Sequence, residues 1–543
     1  MEWVGLGVLV APVEARHESG SAWGAQWIGE RSFAAALVSA LTLLAVAISG
    51  YHPYAEDGGL YLAGVKRLLD PALYPRQTAF VLEPMRMSLF APAIAGLVRA
   101  THIGLPAALF ALHLASVWVT LFAAWTLAER CFATRQARAG AVTLLACWLG
   151  LPVAGTALSI MDPYLTARSF STPCSLLALV GVLAMTERGA DHTERRRGFL
   201  LCVGSVALGG AMHPLMAMYT LGAVAMLACL RASRQSVRVW GTTALSLAAL
   251  GIAACAQALT RPESADYVRV ALTRSYWFLA EWRWYEGVGL AAPLVILSAV
   301  AWKEQWTTAR DRDEMVSGAR RALARMAVIA GATACVAAAL FARGGAAAHL
   351  VARLQPLRAF QIVYMVMVLL LGAKLGERVL RRSVWRWGAA VMVLGGVMFG
   401  AARVAFPDSN HLELPGVAPR NAWTQAFLWV RHNTPKGALF ALDADYIHAA
   451  GEDAQSFRAI TERSALPDYS KDGGEASIAP ELTAAWTAGQ AAQQGLSAAV
   501  ATDAERVARL RPLGVTWVVL GAEAATSFDC PYRNNAVQVC RLP

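Results

Sequence analysis

Glu56 and Asp57 stand side by side in "YHPYAEDGGLY", Tyr51–Tyr61, directly after Ser32–Gly50, a stretch with no charge at all. A carboxylate at the wet end of an apolar cavity can take a proton from a hydroxyl. A plainer role is also open, because Asp57 precedes the amphipathic "GGLYLAGVKRLL" and Asp is a preferred N-cap. Capping requires one side-chain acceptor, so it leaves Glu56 unexplained. Cations of interest lie further on. Arg168, in "DPYLTARSFSTP", sits just ahead of Thr172-Pro173, which reads as the N-cap and first residue of a helix. Arg353 and Arg358 bracket Gln355-Pro356, and His213 occupies the tight turn "AMHPLM" between two apolar runs. A guanidinium is a planar fork suited to anions, and an ionisable group at membrane depth is a functional candidate by default. Each has a bland alternative: single arginines near span ends snorkel to headgroups, His213 fits a hydrogen-bonded packing role, and Asp162, before Pro163, fits a turn.

The elements that must position these residues are membrane helices. The chain has 543 residues, 57% hydrophobic and 16% charged, with a mean hydropathy of +0.43, so a bilayer is its natural solvent. Residues 1–31 lack a basic start, short apolar core and small-residue cleavage site, so they read as a cytoplasmic N-terminal segment before a retained span. Apolar runs of membrane-crossing length predict about eleven spans, near 32–50, 105–128, 139–158, 172–186, 198–212, 214–230, 239–259, 286–302, 324–342, 359–376 and 386–404.

Arginines orient these spans. With the N-terminus inside, the short inside loops carry Arg130, Arg135 and Arg138, then Arg188 and Arg195 to Arg197, then Arg231, Arg234 and Arg238. The later ones carry Lys303, Arg310, Arg312, Arg320, Arg321 and Arg325, then Arg378, Arg381, Arg382 and Arg386. This is the positive-inside bias. It accounts for much of the net charge of +11, so no nucleic-acid partner is needed and no nucleic-acid-binding module is recognisable. Outside lie the long first loop (51–104), the loops Ser159–Ser171, Thr260–Tyr285 and Arg343–Arg358, and everything from about 405 onward.

From "FPDSNHLELPGVAPRNAW" onward, proline, glycine and charge return and no span-length run survives, so 405–543 reads as a small extracytoplasmic α/β domain beside the transmembrane domain 32–404. Helices are expected at Asn421–His432 and Asp503–Arg511, and strands in "ALFALDA" and "GVTWVVLGA". The fold class is mainly α, polytopic, with this α/β appendage. Of the nine cysteines, Cys530 and Cys540 alone fall in the exported part, bracketing "PYRNNAVQV". That spacing suits a hairpin around Asn534 and Asn535, closed by a disulfide in an oxidising compartment.

A long acidic first outer loop, many further spans and a C-terminal extracytoplasmic domain resemble the GT-C superfamily of membrane glycosyltransferases. More narrowly, "HPYAEDGGLYLAG", "LTARSFSTP", "RLQPLRAFQ" and "WVRHNTPKGALFALD" are similar to segments of an uncharacterised bacterial GT-C-like integral membrane family. The resemblance implies transfer of a sugar from a polyprenyl-phosphate-linked donor to a glycan, lipid or protein acceptor. It implies a multi-pass protein of the bacterial inner membrane, in contact with membrane lipid, whose C-terminal domain is periplasmic. It also implies that a first-loop acid is base or metal ligand, which matches Asp57 with Glu56 beside it. A divalent metal ion stays open as cofactor, with Asp57, Glu56 and Asp162 as possible ligands. Such a transfer needs cations around the departing phosphate, and Arg168, Arg358, Arg353 and His213 are the outer-face candidates.

Absences agree with a nucleotide-free reaction. The chain has no GxxxxGK[ST] loop, no HExxH, no CxxC and no GxGxxG between strand and helix. Two other classes stay open: a lipid or glycan transporter or flippase, against which no internal duplication is visible, and a non-catalytic GT-C-like binding or assembly factor. The topology is directly testable. A reporter fused after Thr308 is expected to read cytoplasmic and one after Pro480 extracytoplasmic; the reverse result would invert every placement above.

Overall fold

In hydrocarbon every backbone polar group must be bonded within the chain, which leaves helices as the way for these apolar runs to cross. The computed structural model describes residues 20–187, 189–231, 263–302, 313–346 and 348–543. The expected span at 239–259, most of the segment 1–31, and Arg188, Arg234, Arg238, Lys303, Arg310 and Arg312 lie outside the described residues. Among the described residues, eight helices are long and apolar enough to cross a bilayer, and a ninth span results if the bent pair Thr78–Met85 and Phe90–Thr101 is counted as one.

In chain order the membrane part runs α1 (Gly20–Ser49), α2 (Glu56–Leu69), α3 (Thr78–Leu82), α4 (Phe90–Thr101), α5 (Leu105–Cys131), α6 (Arg135–Cys147), α7 (Ala167–Met185), α8 (His192–Met212) and α9 (Pro214–Arg231). It continues with α10 (Ala265–Leu272), α11 (Trp284–Trp302), α12 (Asp313–Phe341), α13 (Leu350–Leu354), α14 (Phe360–Lys374) and α15 (Val384–Ala405). Several expectations shift. Helix α8, over the expected span 198–212, is not among the eight, and the bent pair falls within the loop expected outside, 51–104. The run at 139–158 stops at Cys147, and the chain around Pro152 folds as an irregular segment. Helix α7 starts at Ala167 rather than after Thr172, because Ser169 Oγ accepts the Thr166 N–H (3.1 Å) and makes Thr166 the N-cap. Pro173 therefore lies inside the helix, and Thr172 Oγ1 bonds back to Arg168 O (2.9 Å).

Small residues let the helices touch backbone to backbone, as membrane packing favours. A Cβ on Gly140 of α6 would lie 2.3 Å from Gly372 O of α14, and one on Gly372 would lie 2.5 Å from Gly140 O. The bundle has two chemically distinct ends. At one, the basic connections meet: Arg130 pairs with Glu187, and Thr134 Oγ1 donates to Glu377 (3.3 Å). At the other, the segments expected outside converge. His349 bonds Glu263 (2.7 Å), Arg274 bonds Ser470 O (2.6 Å), and Lys66 of α2 bonds Ala459 O (2.7 Å).

The C-terminal part adds α16 (Ala422–Asn433), α17 (Phe457–Thr461), α18 (Lys471–Ile478), α19 (Thr483–Gln493) and α20 (Asp503–Leu510) to β1 (Leu439–Ala441), β2 (Ser464–Ala465), β3 (Trp517–Gly521), β4 (Tyr532–Arg533) and β5 (Val537–Arg541). The strands form a five-stranded sheet in the order β2-β1-β3-β5-β4. β1 is parallel to β2 and β3, and β5 is antiparallel to β3 and β4. Strand alternation builds two cores. Phe440, Trp517 and Val539 pack with Trp423 and Phe427 on one face. Leu439, Val518 and Cys540 pack with Leu496 and Leu510 on the other. A disulfide joins Cys530 to Cys540.

The α6–α14 contact leaves no room for a methyl group. Gly140→Ala is expected to lower stability in detergent by about 1–3 kcal/mol. Gly96→Ala, whose added Cβ meets nothing within 4 Å, is expected to stay within about 1 kcal/mol of wild type. Thermal denaturation of the purified variants measures both.

Candidate functional site

The acidic pair opens α2, and it does not cap it. Ala55 is the N-cap and makes no side-chain capping bond. Glu56 takes a left-handed backbone conformation, φ 52°, which a residue with a Cβ adopts at some cost. Its N–H is held by Ala454 O (2.8 Å) from the C-terminal part. The glycines that follow are there for closeness. A Cβ on Gly58 would come within 3.0 Å of Tyr164, and one on Gly59 within 2.1 Å of Ser456 Cβ. So "EDGG" wedges between the 148–166 connection and the C-terminal part.

Both Asp57 oxygens face cations. Oδ2 accepts from Arg168 Nη1 (2.9 Å) and Oδ1 from Lys471 Nζ (3.1 Å). Lys471 also pairs with Glu56 Oε2. The Arg168 guanidinium turns its other edge to Asp162 Oδ2, at 3.1 Å from Nε and 2.8 Å from Nη2. The Asp57 side chain stays 26% exposed while those of Arg168 and Asp162 are 6% and 8% exposed. Asp57 therefore keeps an open side, and the Arg168–Asp162 pair is its buried support.

Burial would raise the Asp57 carboxyl, but Lys471 and Arg168 outweigh it and hold the group below the usual carboxylate range. Burial dominates at Asp162 and raises it, with Arg168 opposing. Glu475, one turn after Lys471 on α18, is pushed up to about 8 by burial and by the charge of Asp57. The two carboxyls are thus driven apart, Asp57 below the usual range and Glu475 above it.

Arg358 and His213 complete the cluster. Arg358 contributes to the field at Asp57 and at Arg168, and its buried Nε has no hydrogen-bond partner. His213 Nδ1 is likewise buried and unpartnered; burial and the positive field of Arg168 and Arg358 lower its ring pKa to about 3. Arg353 goes elsewhere, donating to Ile478 O (3.3 Å) at the end of α18. Lys471 lines a narrow cleft between α2 and the C-terminal part, with Gly59, Ser456 and Asp472. Arg358 lines another of ≈ 210 Å³ with Tyr276 and Gln355.

A divalent ion does not fit the acids as they stand. Asp57, Glu56 and Asp162 direct oxygens at Lys471 and Arg168, where a metal would need them at roughly 2.0–2.6 Å from itself. Among the described residues, no group of three His, Cys, Asp or Glu side chains is arranged to hold one. Lys471 and Glu475 escape a reading of the sequence, since "YSKDGGEAS" carries no signal tying it to residue 57.

No family model matches the chain, and no curated protein matches it. Among solved structures it is similar to the Archaeoglobus fulgidus oligosaccharyltransferase in complex with Zn and sulfate, with a TM-score of 0.44, 13% identity, and coverage of 90% of this chain and 68% of that one. It is also similar to the archaeal oligosaccharyltransferase AglB from Archaeoglobus fulgidus in complex with an inhibitory peptide and a dolichol-phosphate, with a TM-score of 0.45, 12% identity, and coverage of 91% and 70%. Likeness at this depth assigns no residue a role.

The raised Glu475 makes a stability prediction. Between 4.5 and about 8 the folded chain holds a proton that the unfolded chain has released, so stability falls as pH rises through that window. The melting temperature of wild type is expected to decline across it more steeply than that of Glu475→Gln. Parallel profiles would show that Glu475 is ordinary.

Proposed function

We propose that this protein is a membrane glycosyltransferase of the GT-C kind, which moves a sugar from a polyprenyl-phosphate-linked donor to an acceptor hydroxyl. The observation that carries this reading is the buried, unpartnered Nε of Arg358 beside Asp57 and Arg168. A guanidinium in an apolar setting is costly unless an anion meets it, and phosphate is the anion its fork matches best.

In this reading the donor phosphate sits against Arg358, Arg168 and His213, and the acceptor approaches from the side of Asp57 and Glu56. The acceptor oxygen bonds to the anomeric carbon and its proton passes to Asp57. The bond from that carbon to the phosphate oxygen breaks, and its electron pair leaves on the polyprenyl phosphate. A strongly ionised Asp57 is a weak base. A phosphate that draws on Arg168 loosens its hold on Asp57 and raises the basicity of that carboxylate when donor is present. Neutral His213 can donate to the phosphate without adding charge. The cell is a bacterium, the membrane its inner one, and the C-terminal domain, residues 405–543, faces the periplasm. The acceptor class is a glycan, a lipid or a protein.

The double salt bridge on Asp57 favours one other reading, a non-catalytic binding factor in which the acids only lock the first loop to the C-terminal domain. Transfer assays separate the two. Membranes carrying the protein are incubated with a polyprenyl-phosphate-linked radiolabelled sugar, and label leaving the lipid is counted. Asp57→Asn is expected to reduce transfer about 10²–10⁴-fold, and Arg358→Ala to weaken both donor binding and turnover. Donor bound without any transfer by wild type would support the binding factor. Full transfer by both Asp57→Asn and Glu56→Gln would take the acids out of the chemistry and leave the assignment of Asp57 as base refuted.

A further inference from the structure

We propose that Lys471 is the resident cation of the Glu56–Asp57 pair, standing where the GT-C resemblance leaves a divalent metal ion open, so that the site works without one. The functional half of this rests on the glycosyltransferase reading; the binding half does not.

The geometry is that of a bridging ion. One ammonium lies between two carboxylates from adjacent residues, reaching Glu56 Oε2 and, at 3.1 Å, Asp57 Oδ1. The remaining oxygen of Asp57 is taken by Arg168 at 2.9 Å. An ammonium is a compact point charge with three donors, able to serve two acceptors at once as a metal would.

Lys471 is also built in. It begins α18, and each part of that helix is fastened by a different element. The Lys471 N–H donates to Asp468 Oδ1 (2.6 Å). Buried Asp472 pairs with Arg458 (2.6 Å) and accepts the Asp468 N–H (2.8 Å). Arg274 clamps Tyr469 O (2.8 Å) and Ser470 O (2.6 Å) just ahead of the helix. Tyr267 donates to Ser477 O (3.0 Å) and Arg353 to Ile478 O (3.3 Å) at its far end. A lysine that merely neutralised a surface acid would not need a helix held from both ends. Lys471 is thus a positioning residue: it holds the two acids in one orientation.

The test is metal binding, measured on purified full-length protein by the loss of the free Mn²⁺ signal in electron paramagnetic resonance. Wild type and Lys471→Arg are expected to leave the signal unchanged, while Lys471→Met takes up one Mn²⁺ per chain. Sugar transfer by wild type is expected to survive EDTA, and transfer by Lys471→Met to depend on added Mn²⁺. Stoichiometric Mn²⁺ binding by wild type that Asp57→Asn abolishes would overturn the proposal. So would a Lys471→Met protein that melts like wild type and binds no Mn²⁺. If Lys471→Met does not fold, the wild-type titration and Lys471→Arg decide it. A wild type inactive in every transfer assay refutes the glycosyltransferase reading and leaves the titration standing.

Discussion

A guanidinium buried in an apolar wall must be paired, and Arg168 meets that constraint by gripping two acids from different parts of the chain. Asp162 satisfies Nε and Nη2, and Asp57 satisfies Nη1. Removing one partner of such an arrangement leaves an uncompensated charge and typically costs about 3–5 kcal/mol. The arrangement therefore sets where its neighbours can be. It holds the start of α2 against the 148–166 connection, and the glycines after Asp57 exist to let that approach occur. Lys471 then docks on the face of Asp57 that Arg168 leaves free.

Two kinds of cation meet at this centre and they are not equivalent. Arg168 pairs with two carboxylates, whereas the Nε of Arg358 has no partner. The open Nε of Arg358 is the donor on which the proposed phosphate contact rests.

Much of this was legible beforehand, for definable reasons. Span-length apolar runs are strong signals, so α5, α9, α11 and α15 fall within a few residues of expectation. The run "GVTWVVLGA" contains β3 because β-branched and aromatic residues cluster there, and "ALFALDA" contains β1 as a short apolar run too brief for a helix. The two-residue strands β2 and β4 were not visible, since pairing with neighbours rather than local composition makes them strands. The start of α7 was misplaced because Thr172-Pro173 carries the stronger written signal while Thr166 and Ser169 make the actual bond. Asp57, Arg168, His213 and Arg358 could be singled out as ionisable groups beside apolar runs. That Asp162 would serve Arg168, and that Arg353 would turn to Ile478 O, depended on directions that no spacing encodes.

Lys471 lies 414 residues from Asp57 along the chain, beyond the last membrane helix. Ribosomal synthesis is directional, so the first loop reaches its compartment early and waits there with its acids uncompensated on one side. The lysine arrives only after every intervening helix has been made and the C-terminal part has folded. A chain that stalls before residue 471 therefore lacks the cation that Glu56 and Asp57 share in the folded protein.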